Sequence, residues 1–255
     1  MRYNIPVVLA AVLLIVGSCN ESRTRQVRSC SGEKDRMIKV AVVTGGHDFE
    51  KEEFLGLFAG HKDIEYVHVP QSDHSEIFED ISQWPYDVIV LYNMTQQISP
   101  RRRANFVKLL EDNVGLVVLH HAILAFQQWG QYKKIVGGRL YLEDTIEDGI
   151  EGKKLEYKHD VNFTVHIEDT EHPITRGLND FMVHDETYKQ GVFEPGNRVL
   201  LTTNDPTSDR IIGWVSGYDK GKVCFIESGH GPTIYSDANF RRLTAQAIRW
   251  CAGRL

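Results

Sequence analysis

Several short stretches of this chain set imidazole or carboxylate groups where they could do chemistry. Gly45-Gly46-His47-Asp48, His120-His121 and Ser228-Gly229-His230-Gly231 each follow an apolar run, and His159-Asp160 and His184-Asp185-Glu186 with Tyr188 are polar clusters farther along. Neutral imidazole with carboxylate can hold a divalent metal such as zinc or manganese. The same pair can move protons at neutral pH, because free histidine titrates near about 6.5 and a carboxylate can orient the ring. A ligand rich in hydroxyls would be met by the planar donors and acceptors of Asp, Glu and His, and by an aromatic platform such as Trp129 or Tyr188.

These residue types give a set of expectations. His121 and His230 are candidate bases, with Asp185 or Glu186 orienting them or acting as the acid. Gly46, His47, Asp48, His120, Trp129, His184 and Tyr188 are candidate substrate contacts, and His47, His121, His184 and His230 are candidate metal ligands. Blander readings exist for each. His47 could cap a helix, and 184–186 could be a loop that bonds its own backbone. His120 and His121 point opposite ways if the strand continues that far; a sharp turn at His121 would expose that ring and leave His120 packed, or the two roles are reversed. His172-Pro173 reads as a structural turn, and His61, His68, His74 and His166 as incidental.

The elements that must position these groups are legible as hydrophobic runs. MIKVAVVTGG is a buried strand ending in a tight glycine loop, and FEKEEFLGLFAGH has partly helical spacing. IEYVHVP and YDVIVLYNM are further strands. Ser99-Pro100 opens a helix with Ser as N-cap and Pro at its first position, burying Phe106, Leu109 and Leu110, and VGLVVLHH follows as a strand. Strands apolar on both faces and separated by helices predict an α/β fold, a mostly parallel sheet covered by helices on both faces. The second half adds strands at VNFTVHI, NRVLLTTN, RIIGWVSGY and GKVCFIESGHG, and a closing helix capped by Ser236 or Asp237 and stopped at Gly253. In such sheets ligands sit beyond the carboxyl ends of the strands, which is where the glycine–histidine pairs fall.

The 255 residues carry a formal charge of −6, and no basic surface favours nucleic acid; Arg101-Arg102-Arg103 reads as a solvated helix start. Residues 1–18 look like a signal peptide, with Arg2 before an apolar run from Pro6 to Val16 that is short for a membrane span. Removing them takes away one base and no acid, moving the charge from −6 to −7. Val16-Gly17-Ser18-Cys19 resembles a bacterial lipobox, so Cys19 is the expected lipidation site of a periplasmic lipoprotein anchored to the membrane. Residues 19–36 then form a polar tether, and 37–255 the folded domain. Cys30, Cys224 and Cys251 have no spacing that demands a disulfide. TGGHDF lacks the third glycine of a dinucleotide fingerprint, so no nucleotide is expected.

The stretches VVTGGHDFE, LVVLHHA, GGRLY, EHPITRGLNDFMVHDETY and VCFIESGHG, in this order, resemble the ThuA-like (trehalose utilisation) family, which is related in fold to class I glutamine amidotransferases. The resemblance implies the flavodoxin-like sheet and a link to carbohydrate metabolism, with a sugar dehydrogenase as a possible partner. The amidotransferases carry a nucleophilic cysteine at the turn that here reads His120-His121-Ala122, so thiolate chemistry and glutaminase activity are not expected. Glu143 stands where many members carry a histidine after the Gly-Gly of GGRLY, and joins the substrate contacts on that ground. The combined expectation is a periplasmic enzyme of sugar catabolism: a hydrolase, lyase or isomerase acting on a disaccharide or 3-keto-glycoside. The alternative is a lipid-anchored sugar-binding protein without catalysis.

Overall fold

In the computed structural model of the protein, Met1 and residues 36–255 are described. The lipobox, Cys19, Cys30 and the rest of the tether up to residue 35 lie outside the described residues. Within them no helix is long and apolar enough to cross a membrane.

The chain opens with β1 (Ile38–Gly45), α1 (Lys51–Gly56), β2 (Ile64–Pro70) and β3 (Val88–Asn93). It continues with α2 (Pro100–Glu111), β4 (Gly115–Leu119), a 3-10 turn over His120–Leu124, and α3 (Gly130–Val136). The short strands β5 (Gly138–Arg139), β6 (Thr145–Glu147) and β7 (Ile150–Gly152) lead into β8 (Glu156–Ile167) and β9 (Phe181–Lys189). Then come β10 (Val192–Phe193), β11 (Arg198–Thr202), β12 (Ile211–Val215), β13 (Val223–Ile226), α4 (Pro232–Ser236) and α5 (Ala238–Cys251).

Nine strands form one sheet in the order β2-β1-β3-β4-β13-β12-β11-β8-β9. The first five run parallel, and the remaining four continue the sheet antiparallel. The long strands expected in the second half therefore lengthen this sheet, while β5 pairs with β10 and β6 with β7 as two small separate ribbons. Valine, isoleucine and leucine fill both faces of the parallel part because both faces are covered. On one side Val40, Val42, Val90 and Val117 pack with Phe54 of α1, Tyr235 of α4 and Phe240, Leu243 and Ile248 of α5. On the other, Val43, Leu91, Val118 and Phe225 pack with Phe106, Leu109 and Leu110 of α2 and with Tyr132 and Ile135 of α3. Each such side chain contributes about 1.5–3 kcal/mol by leaving water.

The helix at residues 49–61 is shorter than its spacing predicts, ending at Gly56 and passing into turns. The closing helix α5 begins at one of its two expected caps, Asp237, which accepts from the amides of Asn239 and Phe240, and the short α4 just before it is an addition. Ser99 caps α2 as its position predicts. The polar run 184–186, for which a loop was the bland reading, lies within β9.

Candidate functional site

The strand order reverses about β1, and the crevice beyond the carboxyl ends of such strands is where ligands bind in this architecture. Four parallel strands deliver their next residues to that rim: β1 leads to His47, β3 to Met94, β4 to His120 and His121, and β13 to Glu227 and His230. Gly46 is required here. Its φ of 73° is left-handed, and a Cβ would stand 2.7 Å from the backbone of Met94 and Thr95. Only glycine lets the first loop lie against the third and present His47.

The turn after β4 falls at His120, not at His121: φ is 52° at His120, an uncommon conformation for a side-chain-bearing residue. The kink drives the His120 ring into the interior, with 0% exposure. Its Nδ1 lies 2.7 Å from the Glu227 carbonyl, to which it must donate. Its Nε2 then faces the Tyr188 hydroxyl at 2.9 Å, Glu186 Oε2 at 3.0 Å and His230 Nδ1 at 3.3 Å. His230 Nδ1 is also 3.3 Å from Glu186 Oε2. Burial and the neighbouring His120 hold the His230 ring below its ordinary pKa. Burial opposes the charge on Glu186, yet hydrogen bonds from His120 and Tyr188 prevail and keep its carboxyl below the usual range.

The loop that carries His230 is clamped by its surroundings. The Asp185 carboxylate accepts from the backbone amides of Gly229 and His230, both at 2.8 Å, and the Tyr92 hydroxyl donates to the Gly229 carbonyl at 2.8 Å. Asp185, read from sequence as an acid or orienter of a ring, instead positions backbone. Its burial raises its pKa despite those bonds.

A cavity of about 240 Å³ opens beside this cluster, lined by His47, Met94, His121, Leu124, Leu142, Leu155, Tyr157, His159, Glu186 and Tyr188. His121 stacks on His47 with ring centroids 4.5 Å apart and lies 4.3 Å from the Tyr92 ring. Both of its ring nitrogens are buried without a hydrogen-bond partner, and burial, followed by the neighbouring His120 and His47, holds the ring well below its ordinary pKa. His159 reaches the cavity because β8 bulges between Lys158 and Val161; bulges of this kind re-aim side chains beside active sites. Its Nδ1 sits 3.1 Å from Glu186 Oε1.

The structure thus brings together His47, His120, His121, His159, Glu186, Tyr188 and His230, and leaves other candidates apart. His184 is a correction: two residues from Glu186 on β9, its ring is partly exposed and turned to Asn162 Oδ1 at 3.0 Å and Asp160 at 3.5 Å. Trp129 is a core residue packed with Phe106, Phe126 and Tyr132, not a sugar platform. Glu143 is exposed, 3.5 Å from Lys154, in the wall of a neighbouring cavity of about 490 Å³. Gly46 and Asp48 line a third cavity, with His47 shared between it and the central one. Of the four histidines grouped as metal ligands, His230 alone joins the one cluster among the described residues whose donor atoms could share an ion, namely His120, Glu186 and His230. Arg101 and Arg102 both pair with Glu79, and Arg103 donates to the Ile98 carbonyl.

Glu227 was not singled out from sequence. It ends an apolar strand, is 5% exposed, and accepts from Ser208 and from the Tyr188 amide. Burial pushes its carboxyl well above the usual range. The signal available was an acid terminating a fully apolar run.

A family model described as ThuA, trehalose utilisation, matches residues 39–251. No curated protein matches the chain. Among solved structures it is similar to a ThuA-like protein from Parabacteroides merdae ATCC 43184, with TM-score 0.70 and 19% identity over 85% of this chain and 90% of that one. A ThuA-like protein from Bacteroides uniformis ATCC 8492 aligns with TM-score 0.58 and 21% identity over 86% and 92%. A β-galactosidase from Bacillus circulans sp. alkalophilus aligns with TM-score 0.54 and 11% identity over 85% of this chain but 31% of its own. At these identities the likenesses establish the fold.

Proposed function

The chain belongs to the ThuA family, and from that premise we propose that it is an enzyme of sugar catabolism acting on a disaccharide or a 3-keto-glycoside. Membership of a family described by trehalose utilisation gives it a role in carbohydrate metabolism; the reaction is inferred from the site. The observation that carries this reading is the convergence of His47, His121, His159, Glu186 and Tyr188 on one cavity. At about 240 Å³ that cavity is smaller than the ~300–1,000 Å³ of common ligand pockets, which suits one sugar ring. The cavity of about 490 Å³ shares Leu142 with it and gives a second ring its place.

His159 is the base in this reading. Glu186 Oε1 holds its Nδ1, so the opposite nitrogen carries the lone pair, as a carboxylate-oriented imidazole requires. On a keto-glycoside it takes the proton from the carbon beside the carbonyl, and the electron pair moves to the ketone oxygen. Return of that pair forms the carbon–carbon double bond and breaks the glycosidic C–O bond. The departing oxygen takes a proton from His47, at the open side of the cavity. The buried ring of His121 backs His47, on which it stacks, and keeps that ring at the cavity.

The test is turnover of trehalose, sucrose and their 3-keto forms by the purified protein. His159→Gln is expected to slow the reaction by ~10²–10⁴, while His184→Gln leaves it unchanged. Absence of turnover on all four sugars overturns the enzymatic reading, and calorimetric binding without turnover makes the protein a sugar receptor. Export and lipid attachment at Cys19 are part of the same proposal, supported by the run 6–19. Cys19→Ala is expected to move the protein from the membrane pellet to the soluble fraction.

A further inference from the structure

We propose that His120, Glu186 and His230 form a divalent-metal site suited to zinc. This inference does not depend on the sugar reading. It begins with hydrogen positions. His120 Nδ1 faces a carbonyl at 2.7 Å and must carry a hydrogen, so in the neutral ring Nε2 presents a lone pair. Glu186 Oε2, a second acceptor, stands 3.0 Å from it. His230 Nδ1 completes the triangle, 3.3 Å from each. With one hydrogen on His230 Nδ1 and one on Tyr188, whose hydroxyl is 2.9 Å from His120 Nε2, the Nε2–Oε2 edge is bridged either by a second proton on His120, the hydrogen bond to Glu186 described above, or by a cation that takes that proton's place. A cation at the centre satisfies all three atoms at once.

The dimensions agree with that ion. Zinc bonds of about 2.0–2.2 Å in tetrahedral geometry set ligand atoms about 3.3–3.6 Å apart, and the observed edges of 3.0–3.3 Å are slightly closed. Two imidazoles and one carboxylate are a catalytic zinc set that leaves a fourth position for water or a substrate oxygen. Two nitrogen donors disfavour calcium and magnesium, which take oxygen. The Glu227 carbonyl holds the far nitrogen of His120, as outer-shell acceptors do for metal-bound histidine. Glu186 also lines the cavity, which sets the ion in its wall.

The test uses the whole purified chain, stripped with a chelator and titrated with zinc sulfate by calorimetry, then with cobalt(II) for its visible spectrum. One ion per chain and the intense bands of four-coordinate cobalt are expected. Glu186→Gln and His230→Gln should each weaken zinc binding by at least ~100-fold, and His184→Gln should not change it. Near-UV circular dichroism checks each variant. The half-buried His230 ring gives the variant that keeps the fold should Glu186→Gln disturb it. Failure of the wild-type chain to take up stoichiometric zinc, or undiminished binding in the folded variants, overturns the proposal. No sugar enters the experiment, so its outcome is separate from that of the turnover assay.

Discussion

A histidine outside the site shows what burial does to an imidazole here. His172, 3% exposed, accepts at Nδ1 from the Ile174 amide at 3.2 Å. Burial, then Arg198, lowers its pKa from 6.5. The native ring thus resists a proton that the unfolded ring takes. Stability from this residue is complete above pH 6.5 and declines as the pH falls from there towards the folded value, with a slope of at most about 1.4 kcal/mol per pH unit. His172→Asn keeps an acceptor for the amide two residues on, as in an Asx turn, but does not titrate. Urea unfolding from pH 7.5 to 5 is expected to give the variant a flatter profile than the wild type, and parallel profiles would refute this. At the same scale, the glycine–histidine pairs were readable because residue type and strand-end position coincide. His184 misled because identity says nothing of how far along a strand the cavity extends. His159 gained its place from a bulge that no spacing rule reveals.

Among the elements, the loop after β13 is the most constrained. Gly229 has φ of 147°, and a Cβ there would stand 3.1 Å from the Cβ of His120. Gly229→Ala is expected to cost about 1–3 kcal/mol, the range for strained backbone, and to reduce activity more than Asp237→Ala. The latter removes only the cap of α5, worth about 0.5–2 kcal/mol. Thermal melts and rate measurements on both variants check the contrast. The parallel strands and α2 could be read directly, since β1, β3 and β4 are continuous apolar runs and Ser99-Pro100 is a local capping signal. β9 was harder to read. From Asp185 to Tyr188 it is buried on both sides, yet three of those four residues are Asp, Glu and Thr. Their partners are the Gly229 and His230 amides, His120 and Thr207, all distant in sequence.

At the scale of the molecule, one of the two cores flanking the sheet seals both thiols of the described residues. Cys224 and Cys251 are free and buried. Burial raises both thiols, Cys251 to about 12. Neither is expected to react with iodoacetamide in the native state, and both should react in denaturant; mass spectrometry of peptides containing them decides. The sheet also divides the labour of the site. Its parallel half supplies His47, His120, His121 and His230, whereas Glu186, Tyr188 and His159 arrive on the β8–β9 hairpin at the far end of the strand order. That arrangement makes the hairpin an exchangeable cassette. A chain could acquire a new substrate by rewriting the positions of 156–189 around His159, Asp185, Glu186 and Tyr188 while the imidazoles of the parallel half stay in place, so descendants of this architecture should diverge first along that ribbon.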